Sequence, residues 1–210
     1  DDAGRYQARV KLAGEPEGNR TNDGNMGADG RFWFGTMDDA ERQPSGALYS
    51  LSADWTLTRR QMGLLIPNAL VTDPSGRRLY VADSARGELR VHGIGADGAL
   101  GEAEARVSTL DENCYPDGAA MDEDGFLWNA QWDGWRIVRY APDLSVDAII
   151  PTPVQRPTSC CFGGADRRTL FVTTASAGLS PDQLEAQPLA GSVLALRTGT
   201  RGAETPLFAG

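Results

Sequence analysis

The sequence is short of the side chains on which most hydrolytic mechanisms rest. It carries one histidine, His92, and three cysteines, Cys114 and the adjacent pair Cys160 and Cys161, in 210 residues. His92 lies in a strand-like context, Glu88 to Gly95, and no G-x-S-x-G elbow exists to pair with it, so it reads as a structural histidine. The cysteines are too few and too poorly spaced for a disulfide framework or a thiolate zinc site, which predicts buried, reduced thiols. H-E-x-x-H and phosphate-binding glycine motifs are also missing. Asp122-Glu123-Asp124-Gly125 opens like a calcium loop, but Leu127 and Asp133 stand where an EF-hand needs its glycine and its final glutamate.

Positive charge is scarce as well. Twenty Lys and Arg against 29 Asp and Glu leave a net charge of −9, which gives no footprint for a nucleic-acid partner. The longest apolar runs, Gly63 to Ile66 and Ala148 to Ile150, fall far below the roughly 20 residues that span a bilayer, so no membrane partner is expected. No basic segment followed by an apolar run marks a secretory signal, which points to a cytoplasmic protein. The chain nevertheless opens at Asp1 without methionine, and a signal removed upstream stays open. One domain over 1–210 suffices for this length.

What the sequence has is a repeat. Segments starting at Asn22, Asn68, Asp117 and Thr158 each read as strand, polar turn, strand, and the starts are separated by 46, 49 and 41 residues. Their turns are Ala28-Asp29-Gly30, Asp73 to Gly76, Asp122 to Gly125 and Gly163 to Asp166, rich in residues that tolerate positive φ. Short aromatic and β-branched runs follow directly: Phe32 to Phe34, Leu79 to Val81, Phe126 to Trp128 and Leu170 to Val172. A third strand is expected from Gly46, Gly87, Gly134 and Gly191, before a fourth. Spacings of roughly 40 to 50 residues are those of four-stranded propeller blades, so the predicted fold is all-β, a β-propeller with about four blades. Residues 1–19 resemble the tail of an earlier blade, and missing residues are expected to close the circle. Ala175 to Ala190 reads as an insertion loop in the last blade, with a short helical turn opened by Ser180-Pro181.

Polar residues recur at the entrance of each unit: Asn22 or Asp23, Asn68, Asp117 and Thr158. Equivalent positions of a propeller converge on its axis, and Asn and Asp oxygens gathered there suit a hard divalent cation. An equally simple reading makes Pro67-Asn68, Pro116-Asp117 and Pro157-Thr158 strand-entry residues that cap the backbone. Spacing alone leaves both open.

Across nearly the whole chain the sequence resembles the gluconolactonase/regucalcin (SMP-30) family. The resemblance runs through Arg20-Thr21-Asn22-Asp23-Gly24, Gly30 to Met37, Gly46 to Tyr49, Tyr115-Pro116-Asp117-Gly118, Pro157 to Gly164 and Phe208-Ala209-Gly210. It implies a six-bladed propeller that hydrolyses a sugar lactone, with one divalent cation (Ca, Zn, Mn or Mg) in the central channel. The family's cation is held by a glutamate, an asparagine and an aspartate. The last two map onto Asn68 and Asp117, and Asp117 would also serve as the catalytic proton donor or acceptor. The family's substrate-contacting arginine and asparagine map onto Arg20 and Asn22.

Two departures accompany the match. The metal-binding glutamate has no counterpart, since Glu15 and Glu17 lie outside its motif, and an acidic substrate contact of some members falls on Ala40, between Asp39 and Glu41. A calcium-binding regulatory propeller and a catalytically impaired homologue therefore stand as alternatives. The tryptophans Trp33, Trp128, Trp132 and Trp135 read as blade packing, with Trp132 or Trp135 as candidates for a sugar-binding mouth.

Overall fold

The computed structural model describes residues 8–208. Three four-stranded antiparallel sheets and one three-stranded sheet follow one another along the chain. The first holds β1 (Asn19–Met26), β2 (Phe32–Asp38), β3 (Gly46–Leu51) and β4 (Leu57–Leu64), and the second β5 (Pro67–Thr72), β6 (Arg78–Asp83), β7 (Glu88–Ile94) and β8 (Leu100–Ser108). The third holds β9 (Tyr115–Met121), β10 (Leu127–Trp132), β11 (Arg136–Tyr140) and β12 (Val146–Pro151). The fourth holds β13 (Pro157–Gly163), β14 (Thr169–Thr174) and β15 (Val193–Arg197). Each sheet is a blade, and β1, β5, β9 and β13 lie innermost, against one another. The predicted propeller with four blades is observed.

Each blade begins with the hairpin its turn residues require. Gly30, Gly76 and Gly125 adopt φ of 82°, 67° and 84°, a region closed to most side chains. Two of these turns share a further device: Asp29 accepts the Trp33 indole N–H at 3.1 Å, and Asp122 accepts that of Trp128 at 3.0 Å. Both indoles are thereby satisfied while almost wholly buried, as a packing role for Trp33 and Trp128 requires.

The core lies between blades. Trp33, Leu48 and Leu64 meet Leu70, Leu79 and Val81 between blades one and two. Between blades two and three, Ala69, Val71, Tyr80 and Leu89 meet Leu127, Val138 and Tyr140. Trp128 and Ile137 meet Cys160, Leu170 and Val172 between blades three and four.

Three expectations need correction. The fourth blade has no fourth strand among the described residues: Gly202 bridges to Asp122 and the Ala203 N–H donates to the Met121 carbonyl at 2.9 Å, so the chain leaves blade four for blade three. Residues 8–18 form no strand either, because Gly14 and Gly18 turn at φ of 78° and 92° around Pro16. Cys161 is exposed while Cys114 and Cys160 are buried, since alternation along β13 sends the two adjacent thiols to opposite faces and only one faces another blade. The predicted turn in the insertion is a helix, α1 (Pro181–Ala186), whose Ser180 and Gln183 form a reciprocal capping box.

Candidate active site

The four candidate positions share a backbone irregularity. Each inner strand loses register against its neighbour at the blade entrance: between Thr21 and Gly24, after Asn68, between Pro116 and Ala119, and between Pro157 and Ser159. A bulge frees a residue from the ladder and re-aims its side chain, which is how Asn22, Asn68 and Asp117 come to line one cavity. Gly118 permits the third bulge, since a Cβ there would lie 2.2 Å from the Ser159 hydroxyl of blade four.

The cavity has a volume of about 590 Å³ and is lined by Arg20, Asn22, Glu41, Ile66, Asn68, Ser84, Ala85, Tyr115, Asp117 and Trp132. All four predicted site residues are among them. Thr158 is not; its hydroxyl pairs with that of Thr173 at 2.7 Å. His92 lies elsewhere, with Nδ1 2.9 Å from the Gly101 carbonyl. Trp132 lines the cavity with Arg156 over its ring at 4.8 Å, whereas Trp135 does not line it.

A hydrogen-bond chain joins three blades across this cavity. Arg20 donates through Nη1 to Asn22 Oδ1 at 2.9 Å and through Nε to Asp39 at 2.8 Å. Asn22 Nδ2 donates to Asn68 Oδ1 at 2.9 Å and to the Pro67 carbonyl at 3.0 Å. Asn68 Nδ2 donates to Ser84 Oγ at 2.8 Å, and Ser84 donates its own proton to the Pro116 carbonyl at 2.6 Å. That last bond fixes the sense of the rest: a hydroxyl that gives its proton to a carbonyl must accept from Asn68, so the Asn68 oxygen faces the cavity. An amide oxygen has two lone pairs, and Asn22 occupies one.

Asp117 stands apart from this chain. Burial, and then the negative charge of Asp23, push its carboxyl up to about 7, against only one opposing hydrogen bond, from the Gly118 N–H. Burial raises Asp23 too, although it accepts from the backbone of Leu70 and Gly24. Among the described residues no arginine or lysine pairs with either carboxylate. A buried acid without a counter-ion, in one cavity with an amide oxygen that has a lone pair to spare, offers donors of the kind a divalent cation accepts. Among the described residues no group of three His, Cys, Asp or Glu is gathered for a metal. Glu15 is held by Tyr49 on β3 and by Asn19 Nδ2 on β1, and does not line the cavity.

Sequence reasoning missed Glu41, Ser84 and Tyr115 as cavity residues. Glu41 reaches the cavity from a loop residue at φ of 58°, a conformation that its position after Asp38-Asp39-Ala40 does not announce. Ser84 follows β6 directly, and its bond with the Asn68 amide leaves no mark in the sequence.

Fold and cavity together define a β-propeller with an oxygen-rich, acidic channel mouth. The sequence profile of the SMP-30/Gluconolactonase/LRE-like region family matches residues 1–176, and the chain belongs to this family. It is 37% identical over 200 residues to an L-arabinolactonase of Azospirillum brasilense, covering 93% of this chain and 66% of that protein. It is 34% identical over 208 residues to a 6-deoxy-6-sulfogluconolactonase of Pseudomonas putida, covering 97% and 72%. The crystal structure of a calcium-binding protein, regucalcin, from Agrobacterium tumefaciens superposes with a TM-score of 0.87 at 30% identity, over 94% of this chain and 68% of that one. The chain thus spans about two thirds of the length of the relatives it matches. No helix of the described residues is long and apolar enough to cross a membrane.

Proposed function

We propose that the protein hydrolyses a sugar lactone at this cavity, with Asp117 moving the proton. The observation that carries the reading is the cavity itself: the Asp117 carboxyl, paired with no arginine or lysine among the described residues, shares it with Asn68, Arg20 and Asn22. A buried carboxylate so placed can take a proton from the attacking water and return it to the ring oxygen as the ester bond opens. Atoms balance: lactone and water give one hydroxy acid. Arg20 and Asn22 stand where they can bind sugar hydroxyls. Among the described residues Arg20 Nη2 has no partner, which leaves two N–H donors for substrate. Trp132 and Tyr115 supply aromatic walls against which a sugar ring can lie.

Asn68 and Asp117 would hold one divalent cation; calcium, zinc, manganese and magnesium all accept such donors. When bound, the cation would polarise the lactone carbonyl and offset the charge that develops on its oxygen. The similarity to two sugar lactonases supports the substrate class.

The test is acid release from gluconolactone and L-arabinolactone above spontaneous hydrolysis, with added divalent cations and with chelator, for the wild type and Asp117→Ala. Cation-dependent hydrolysis abolished by Asp117→Ala is expected. Equal rates in all samples would overturn the reading, and cation binding without turnover would favour a regulatory propeller instead.

A further inference from the structure

The bulge that presents Asp117 is held in an unusual way. Its three successive carbonyls accept from side chains: Pro116 from Ser84 Oγ at 2.6 Å, Asp117 from Asn129 Nδ2 at 2.9 Å and Gly118 from the same Asn129 Nδ2 at 3.3 Å. Asn129 lies on β10, directly opposite Ala119, the residue at which the bulge rejoins the ladder. The corresponding position opposite the end of the bulge is Phe34 in blade one and Tyr80 in blade two. Only in the blade that bears Asp117, among these three, does an amide stand there.

This amide carries a cost. Asn129 is fully buried and its Oδ1 has no partner among the described residues. It shares a strand face with Leu127 and Gln131 and lies beside the apolar interface of blades two and three. Gln131, two residues on, has a partner at each polar atom: it donates to the Tyr140 hydroxyl at 2.8 Å and accepts from Arg136 Nε at 2.7 Å. A polar group kept in a core with one end bare loses stability that an apolar residue would not lose. Its return has to lie in what its other end holds.

We infer that Asn129 is a positioning residue for Asp117. Its two N–H groups fix the peptides on either side of Gly118, and thereby the direction in which the Asp117 carboxylate leaves the bulge. The inference rests on the proposed function, since it makes Asn129 serve the group that binds the cation and moves the proton. Partners of metal ligands act in this way elsewhere, and losing one weakens metal affinity by about 10- to 100-fold.

The variant Asn129→Leu keeps the branching of the side chain and removes the donors. Leu127→Ala, on the same strand face, is the control, because it damages the same interface without touching the bulge. Three quantities are measured for each: divalent-cation affinity by calorimetry, kcat and KM on lactone, and amide hydrogen exchange at Gly118 and Ala119. Asn129→Leu is expected to bind cation about 10- to 100-fold more weakly, to lose kcat with KM little changed, and to exchange faster at the bulge. Leu127→Ala is expected to melt at lower temperature with affinity and kcat retained. Wild-type exchange and affinity in Asn129→Leu would overturn the inference, as would equal losses of affinity in both variants. If the wild type neither binds cation nor hydrolyses lactone, the proposed function falls, and the exchange data alone decide whether Asn129 holds the bulge.

Discussion

Blades two and three each pack against a blade on both sides, whereas among the described residues blades one and four each pack against one. In β5 every residue is buried and in β6 all but Arg78, whereas β14 and β15 alternate, with Phe171 37% and Val193 64% exposed. The strands are built from similar residues, so burial here is decided by neighbours and not by composition. The same division runs through the cavity. Asn68 and Asp117, proposed to hold the cation and move the proton, come from the two flanked blades, while Arg20 and Asn22, proposed to face substrate, come from blade one.

That division predicts unequal effects of substitution, largest at the centre. Asp117→Asn keeps shape and removes the proton carrier, and kcat is expected to fall by about 10²- to 10⁴-fold. Arg20→Ala, at the edge, should mainly raise KM, by roughly tenfold for one lost charged hydrogen bond. Steady-state kinetics on the hydrolysed lactone separates the two; a kcat loss at Arg20 as large as that at Asp117 would break the comparison.

Stability should divide in the same way. Leu127→Ala, at a wholly buried site between blades two and three, is expected to cost about 2–5 kcal/mol. Phe171→Ala, on the open face of blade four, should cost less than about 1 kcal/mol. Denaturant unfolding of both variants checks this, and a large loss at Phe171 would mean that this face is covered in solution.

Much of this was legible beforehand. The turn glycines and the repeat spacing marked every blade, and the matched motifs placed Arg20, Asn22, Asn68 and Asp117 on one cavity. What could not be read was whatever depends on three dimensions. Spacing makes Thr158 equivalent to Asn68, yet its hydroxyl is taken up by Thr173, one strand away. Nothing local distinguishes Cys160 from Cys161 until a blade covers one face. Ser84 and Asn129 were invisible as site residues because they act on backbone carbonyls remote in sequence, a relation that leaves no spacing pattern.

The smallest predicted effect is a difference in sign. Asp117, at the centre, has its carboxyl raised from 3.8 to about 7 by burial and by Asp23, while Asp166, on open blade four, is lowered to about 2 by its hydrogen bonds with Arg197 and the Arg168 backbone. A group raised in the folded state binds a proton there that the unfolded chain has already released. Its contribution is therefore complete below about pH 4 and is lost as pH rises through about 7. Asp166 runs the other way, contributing above its unfolded value and losing that contribution as pH falls towards 2. Because Asp166 is exposed and screened, the central carboxyl should dominate the profile between these limits. In chelator, the melting temperature of the wild type is thus expected to fall by a few degrees from pH 4 to pH 7. Asp117→Asn, with no proton to lose, should flatten that slope, and Asp166→Asn should leave it in place. A saturating divalent cation should flatten it as well, by favouring the carboxylate that burial and Asp23 penalise. A wild-type slope unchanged by Asp117→Asn would show that the central acids are not held above the ordinary carboxylate range, and the contrast between centre and edge would then rest on packing alone.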